Sequence, residues 1–170
     1  MPPPAAHSAN ALALDDRDLA ILSILAREGR IAKAELARRV NLSPSPCWQR
    51  LHRLEAAGLI RGYRAEIALA RLAPHVRVFV MVELESHRAE SFRRFEGTVA
   101  EMEEITACWA LGGGFDYLME VVTGDIAAYQ ALMDSLLERR AGVARYYTYV
   151  VTKAVKDAPA PLATLLGGSS

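Results

Sequence analysis

Residues 76–84 read V-R-V-F-V-M-V-E-L. Valine at every second position favours a pleated strand, because β-branched side chains are stiff about χ1. Phe79 and Met81 make the intervening positions apolar as well, so the strand reads as covered on both faces. It begins just after Pro74, where helical periodicity gives way to extended periodicity.

C-terminal to it, Phe92, Phe95, Val99 and Met102 mark a helix. Residues 105–111 read as a strand, three glycines follow, and residues 115–122 read as another. Ile126, Tyr129, Met133 and Leu136 mark a second helix, ended by Gly142, and residues 143–155 read as a last strand. The order is βαββαβ. With right-handed crossovers it closes into a four-stranded antiparallel sheet with both helices on one face, the ferredoxin-like arrangement.

N-terminal to the quoted strand come three helices. Asp15 is placed to cap the first, whose apolar positions are Leu19, Leu22 and Leu25 with Ile21, and Gly29 is expected to stop it. The second runs from Lys33 to Val40, with Leu36 and Val40 inward. Asn41-Leu42-Ser43 forms a turn; Ser43 suits the N-cap and Pro44 the first position of the third helix, which ends at Gly58. The fold class is therefore α+β. A helix-turn-helix domain (14–64) precedes an extended connector (65–75) and a βαββαβ domain (76–156). A Pro/Ala-rich arm (1–13) and a tail (157–170) read as loose.

Composition fits a soluble protein: 52% of residues are hydrophobic and 24% charged. No apolar run approaches the ~20 residues of a membrane helix, and the N-terminus carries no secretory pattern. Cys47 and Cys108 have neither disulfide-framework nor zinc spacing, which fits a cytoplasmic protein. No spacing among the four histidines supports a metal, and no cofactor is expected. Net charge is zero, but residues 14–64 hold ten Lys/Arg against six Asp/Glu, and the remainder ten against fourteen. A basic N-terminal third is weak grounds for a polyanionic partner.

On a helical wheel of the third helix, Leu51, Leu54 and Gly58 fall within about 40° of Cys47, the packed face. Ser45, Gln49, His52 and Arg53 project oppositely, with Trp48 on the flank. In a recognition helix this face enters the major groove of duplex DNA. Gln49 can pair with adenine, and Arg53 can reach guanine or phosphate. Arg38, Arg39, Arg61 and Arg64 would add phosphate contacts. Arg50 lies nearer the packed face, as a brace. The competing reading is a plain three-helix bundle with a solvated polar face.

Residues 14–25 (L-D-D-R-D-L-A-I-L-S-I-L) and the S-P-S-P-C-W-Q-R-L-H-R-L-E-A-A-G-L-I-R-G-Y run to Tyr63 resemble the N-terminal module of Lrp/AsnC transcription regulators. The βαββαβ half, with G-G-G-F-D-Y and Y-T-Y-V-V, resembles that family's amino-acid-binding module. The likeness spans roughly Leu14 to Lys156. It implies a DNA-binding regulator with no enzymatic activity, dimerised through its sheets and connector and assembling into tetramers or octamers. Trp48-Gln49 departs from the smaller or basic pair of the family pattern, which leaves the operator open.

The resemblance also implies a free amino acid, or a related effector, near the turn between the second and third strands. Gly112, Gly113 and Gly114 allow close backbone approach and suit a carboxylate. Asp116 suits an ammonium group. Tyr117 and Thr148, at the family's positions, would shape the side-chain end. The competing reading is a hairpin whose glycines serve unusual dihedrals. A phosphate loop is excluded, since no Gly-Lys-Ser/Thr follows. Two other functions compete: an architectural DNA-binding protein without effector, and an enzyme like the siroheme decarboxylases, which resemble the family in fold. The latter needs tetrapyrrole-side histidines or arginines in the C-terminal half; His75 and His87 fall before and after the first strand, and neither is placed by the glycine turn.

Overall fold

The computed structural model describes residues 13–166. These divide into two compact units, one of residues 13–66 with 157–166 and one of residues 67–156. The arm expected at the N-terminus lies outside the described residues except for Ala13.

In the first unit, α1 (Asp16–Leu25), α2 (Lys33–Arg39) and α3 (Pro44–Ala56) pack around Ile21, Leu36, Ala37, Val40, Cys47, Leu51 and Leu54. Asp15 and Asp18 form a capping box at the start of α1. The helix ends at Leu25 rather than at Gly29: the N–H groups of Arg27 and Glu28 both turn back to Ile24 O. Leu19, Leu22 and Leu25 are only half-buried, and Ile21 fills the core.

Both later helices close with the same device. Leu42 N–H reaches Ala37 O and Asn41 N–H reaches Arg38 O, with Asn41 left-handed at φ 52°. Leu59 N–H reaches Leu54 O and Gly58 N–H reaches Glu55 O, with Gly58 at φ 70°. These are Schellman closures, in which the left-handed residue aims two N–H groups at the last free carbonyls. Ser43 takes the N-cap of α3, but its hydroxyl makes no cap bond. Leu162–Leu165 forms a short helix, α6, beside α1.

The second unit opens with a 3₁₀ turn (Leu69–Arg71) where an extended connector was expected. Then come β1 (Val76–Leu84), α4 (Ala89–Ala100), β2 (Ile105–Ala110), β3 (Tyr117–Thr123), α5 (Ile126–Glu138) and β4 (Val143–Val150). The sheet is antiparallel in the order β2-β3-β1-β4, as the ferredoxin-like reading requires. β4 stops at Val150, short of Val155, because β1 begins at Val76 and offers little backbone beyond the Val78–Val150 pair.

Val78, Val80, Val82, Tyr117, Met119 and Val121 line one sheet face, buried with Phe95, Val99, Tyr129, Met133 and Leu136. Ile126 is 42% exposed, and Leu132 takes the inward place expected of it. On the other face Phe79 and Met81 pair across to Tyr149 and Tyr147, and Leu118 pairs with Trp109. Trp109, Tyr147 and Tyr149 are exposed there.

Candidate functional site

Helix α3 presents Ser45, Gln49 and His52 to solvent, opposite buried Cys47, Leu51 and Leu54. Trp48 is half-buried. Lys33 Nζ lies 3.2 Å from its ring centroid, and His52 meets it edge-on at 4.2 Å. The cation sits on the electron-rich ring face, which fixes the indole beside the reading face. His52 Nδ1 also lies 3.3 Å from Glu55. Four of the expected DNA-facing residues therefore share one surface.

Arg53 departs from expectation. Its Nη2 donates to Asp18 Oδ2, so the guanidinium turns back toward α1 instead of projecting freely. Asp18 is fully buried and also accepts from Arg50 Nη1 at 2.9 Å and from Asp15 N–H at 3.1 Å. A buried carboxylate must be paired, and that requirement draws in both arginines. Arg50 is the brace its wheel position indicates, with a second bond to Asp15 at 2.7 Å. The Asp18 N–H, then Arg50, hold the Asp15 carboxyl below its usual range. Asp18 escaped the sequence reading, although the Asp-x-x-Asp and Arg-x-x-Arg spacings carried the signal.

Arg38 and Arg39 are likewise engaged. Arg38 forks onto Glu35 at 2.7 and 2.9 Å. Arg39 forks onto Glu28 at 2.6 and 2.9 Å and reaches Glu35 at 3.1 Å. Arg38, then Arg39, hold the Glu35 carboxyl down to about 2. These pairs are exposed, and exposed pairs are cheap to exchange for a phosphate.

The second candidate site is the β2–β3 hairpin. Gly112, Gly113 and Gly114 are exposed, and none adopts left-handed backbone. A Cβ built on any of them meets nothing within 4 Å. Turn geometry therefore does not demand these glycines. Leu111 N–H donates to Asp116 O at 2.8 Å and closes the hairpin.

The Asp116 side chain is 14% exposed, and its Oδ2 accepts from Leu84 N–H at 2.8 Å. That bond lies just past the Val82–Tyr117 pair that ends the β1–β3 ladder, where β3 supplies no further strand partner. Asp116 Oδ1 lies 3.0 Å from His87 Nε2. A histidine thus does sit by the glycine turn, contrary to the sequence expectation. The β1–α4 loop brings it there.

Tyr117 and Thr148 do not join this group. Register pairs Tyr117 with Val82 and Thr148 with Val80, which puts both on the helix-covered face. Tyr117 is buried, its hydroxyl donates to Glu96 at 2.7 Å, and burial, then Glu96, push its phenol up. The Thr148 hydroxyl bonds that of Tyr129. Nearer the hairpin is an aromatic pair the sequence reading missed: Phe115 and Tyr147, with centroids 5.4 Å apart. Cys108 is half-buried, and burial, then Glu96, push its thiol up to about 11, as suits a packing residue.

Among the described residues no three His, Cys, Asp or Glu side chains cluster to hold a metal, and no helix is long and apolar enough to cross a membrane.

Residues 14–61 match the winged helix-turn-helix DNA-binding family, and residues 77–161 match the Lrp/AsnC ligand binding domain. The chain belongs to the Lrp/AsnC family. Proteins similar to it include the transcriptional regulatory protein DoeX of Halomonas elongata, 50% identical over 143 residues, covering 84% of this chain and 90% of that one. The leucine-responsive regulatory protein of Escherichia coli K12 is 40% identical over 144 residues, covering 85% and 88%.

Among solved structures, an AsnC family regulator from Agrobacterium tumefaciens superposes with a TM-score of 0.83 at 32% identity, covering 89% and 99%. A transcriptional regulator from Neisseria meningitidis, solved as a complex with L-Met, gives 0.84 at 32% identity, covering 90% and 99%. This Lrp/AsnC chain is accordingly a DNA-binding transcriptional regulator with a ligand-binding module, α+β in class.

Proposed function

We propose that this regulator reads duplex DNA with the exposed face of α3 and answers to a free amino acid, or a related small molecule, bound at the glycine hairpin. The observation that carries the effector reading is the pairing of three sterically empty glycines with an anchored carboxylate, Asp116. An α-carboxylate would lie against the hairpin backbone and an α-ammonium against Asp116. The L-Met complex of the Neisseria relative supports an amino acid as the class of ligand.

A homodimer completes the reading. The open sheet face carries Phe79, Met81, Leu118, Trp109, Tyr147 and Tyr149. An uncovered apolar surface of this kind marks a partner. A second copy would cover it, set two α3 helices for successive major grooves and give DNA half-sites about one turn apart. Tetramers or octamers of such dimers, acting in the cytoplasm without catalysis, follow the family resemblance.

The test is binding to promoter fragments, including that next to the protein's own gene, at moderate salt with and without each amino acid. Affinity no greater than for random DNA would sink the regulator reading. A melting temperature unmoved by all twenty amino acids would favour an architectural protein instead, because a ligand specific to the folded state must stabilise it. A Soret band on tetrapyrrole titration would revive the enzyme.

A further inference from the structure

Asp18 belongs to the first turn of α1, yet its carboxylate is fully buried and bonded to two arginines of α3. Arg50 and Arg53 are one turn apart on the same side of that helix. They are not equivalent. Arg50 spends one nitrogen on both Asp15 and Asp18, and its side chain is 28% exposed. Arg53 gives a single nitrogen to Asp18 and is 43% exposed. A guanidinium carries five N–H donors in a rigid fork. With one edge held by Asp18, the direction of the others is set before DNA arrives.

That direction matters. To read guanine, an arginine must extend its fork squarely onto the base edge in the groove. Arg53 is instead held toward α1 by Asp18, and its remaining N–H groups are left for the sugar-phosphate backbone that flanks a helix in the major groove. We infer that Arg53 is a phosphate clamp preset by the buried Asp18, and that sequence is read by Ser45, Gln49 and His52 on the adjoining face of α3. The inference rests on the DNA-reading role of α3 proposed above. Asp18 is then a positioning residue: it fixes Arg53 without touching DNA, and a side chain already ordered loses less freedom on docking. Arg50 keeps Asp18 paired while Arg53 shares its charge with a phosphate, so no buried carboxylate is stranded on binding.

The experiment uses the full chain and two DNA probes of equal length: a duplex selected by the wild-type protein from a random-sequence pool, and an unselected duplex. Affinities are measured by fluorescence anisotropy at several salt concentrations. Arg53→Ala is expected to lose about tenfold on both probes, with a salt slope shallower by about one and the ratio between probes unchanged. Asp18→Asn is expected to lose affinity on both probes with an unchanged slope, since the DNA-facing charge is kept. The double variant is expected to be no worse than Arg53→Ala, which a merely destabilising role of Asp18 does not produce.

A loss confined to the selected probe in Arg53→Ala makes Arg53 a base reader and overturns the inference. So does an Asp18→Asn protein that binds within twofold of wild type. If circular dichroism shows Asp18→Asn unfolded, Arg53→Lys replaces it: the charge stays and the held fork is lost, so reduced affinity at unchanged slope is expected, and wild-type affinity overturns the inference. If the wild type selects no sequence at all, the regulator reading fails, while the slopes on the unselected probe still decide the role of Arg53.

Discussion

One carboxylate, that of Asp116, serves two neighbours. Its Oδ2 accepts from the Leu84 N–H, and His87 Nε2 faces both of its oxygens, so an effector ammonium would have to share or displace the histidine. Asp116→Ala therefore mixes two effects: an orphaned backbone N–H, costing about 1–3 kcal/mol, and a lost charge. Asp116→Asn separates them, because the amide oxygen still accepts from Leu84. It is expected to unfold in urea close to wild type and to lose the thermal shift that the active amino acid produces. A wild-type shift would remove Asp116 from the site.

Glu35 offers a converse test. It neutralises Arg38 and Arg39, so Glu35→Gln is expected to tighten binding to any DNA several-fold at low salt, with the gain fading as salt rises. Equal affinities at low salt would show that these arginines do not meet phosphate. Side-chain roles of this kind were the least legible part of the sequence. A helical wheel reports where a Cβ points, and it placed Ser45, Gln49 and His52 correctly. Arg53 has a long stem, and the buried Asp18 decides where its guanidinium ends.

Elements were far more legible than their ends. Periodicity located every main helix and strand, because burying one face of a helix or sheet constrains residue type at a fixed spacing. Ends depend on hydrogen bonds that periodicity does not report. Gly58 closes α3 as its residue type announced, whereas α1 stops four residues before Gly29 and β4 runs out of partner strand. The faces taken by Tyr117 and Thr148 were illegible for a related reason. Strand alternation puts each on one of two faces, and only the register with Val82 and Val80 says which.

After α3, the Tyr63 hydroxyl donates to Glu55 at 2.8 Å and ties the following segment back to the helix. Burial, then Glu55, push this phenol up to about 12, from about 10 in an unfolded chain. The folded state therefore holds the proton more tightly. The stability this contributes is whole below pH ~10 and is lost as pH rises toward ~12. Tyr63→Phe is expected to flatten that part of the alkaline unfolding curve, followed by circular dichroism. A curve that keeps its wild-type slope there would sever Tyr63 from this linkage.

At the scale of the molecule, two units divide the labour that the charge asymmetry of the chain first suggested. The N-terminal unit carries the arginine-lined helices, and the C-terminal unit carries the sheet with its apolar open face. If that face joins two copies, affinity for DNA depends on it although it lies far from α3 in sequence. Met81→Glu sets a charge among Phe79, Tyr147 and Tyr149. It is expected to give monomers in sedimentation and to weaken binding to a two-half-site duplex by about a hundredfold, the gain that linking two weak contacts provides. A variant that stays dimeric would place the interface elsewhere. Which copy meets which was not legible, since an apolar strand announces that it is covered and not by what.

The hairpin glycines have a consequence for how this protein changes by mutation. At most core positions an altered residue is eliminated through misfolding and degradation. A methyl group at Gly112, Gly113 or Gly114 finds open space on every side within the protomer, so it burdens only whatever arrives from outside. Such a change leaves the packing of the protomer untouched and, if the proposed effector binds here, alters the response alone. On the proposed effector site, the hairpin is where this regulator could acquire a new signal molecule without renegotiating its folding.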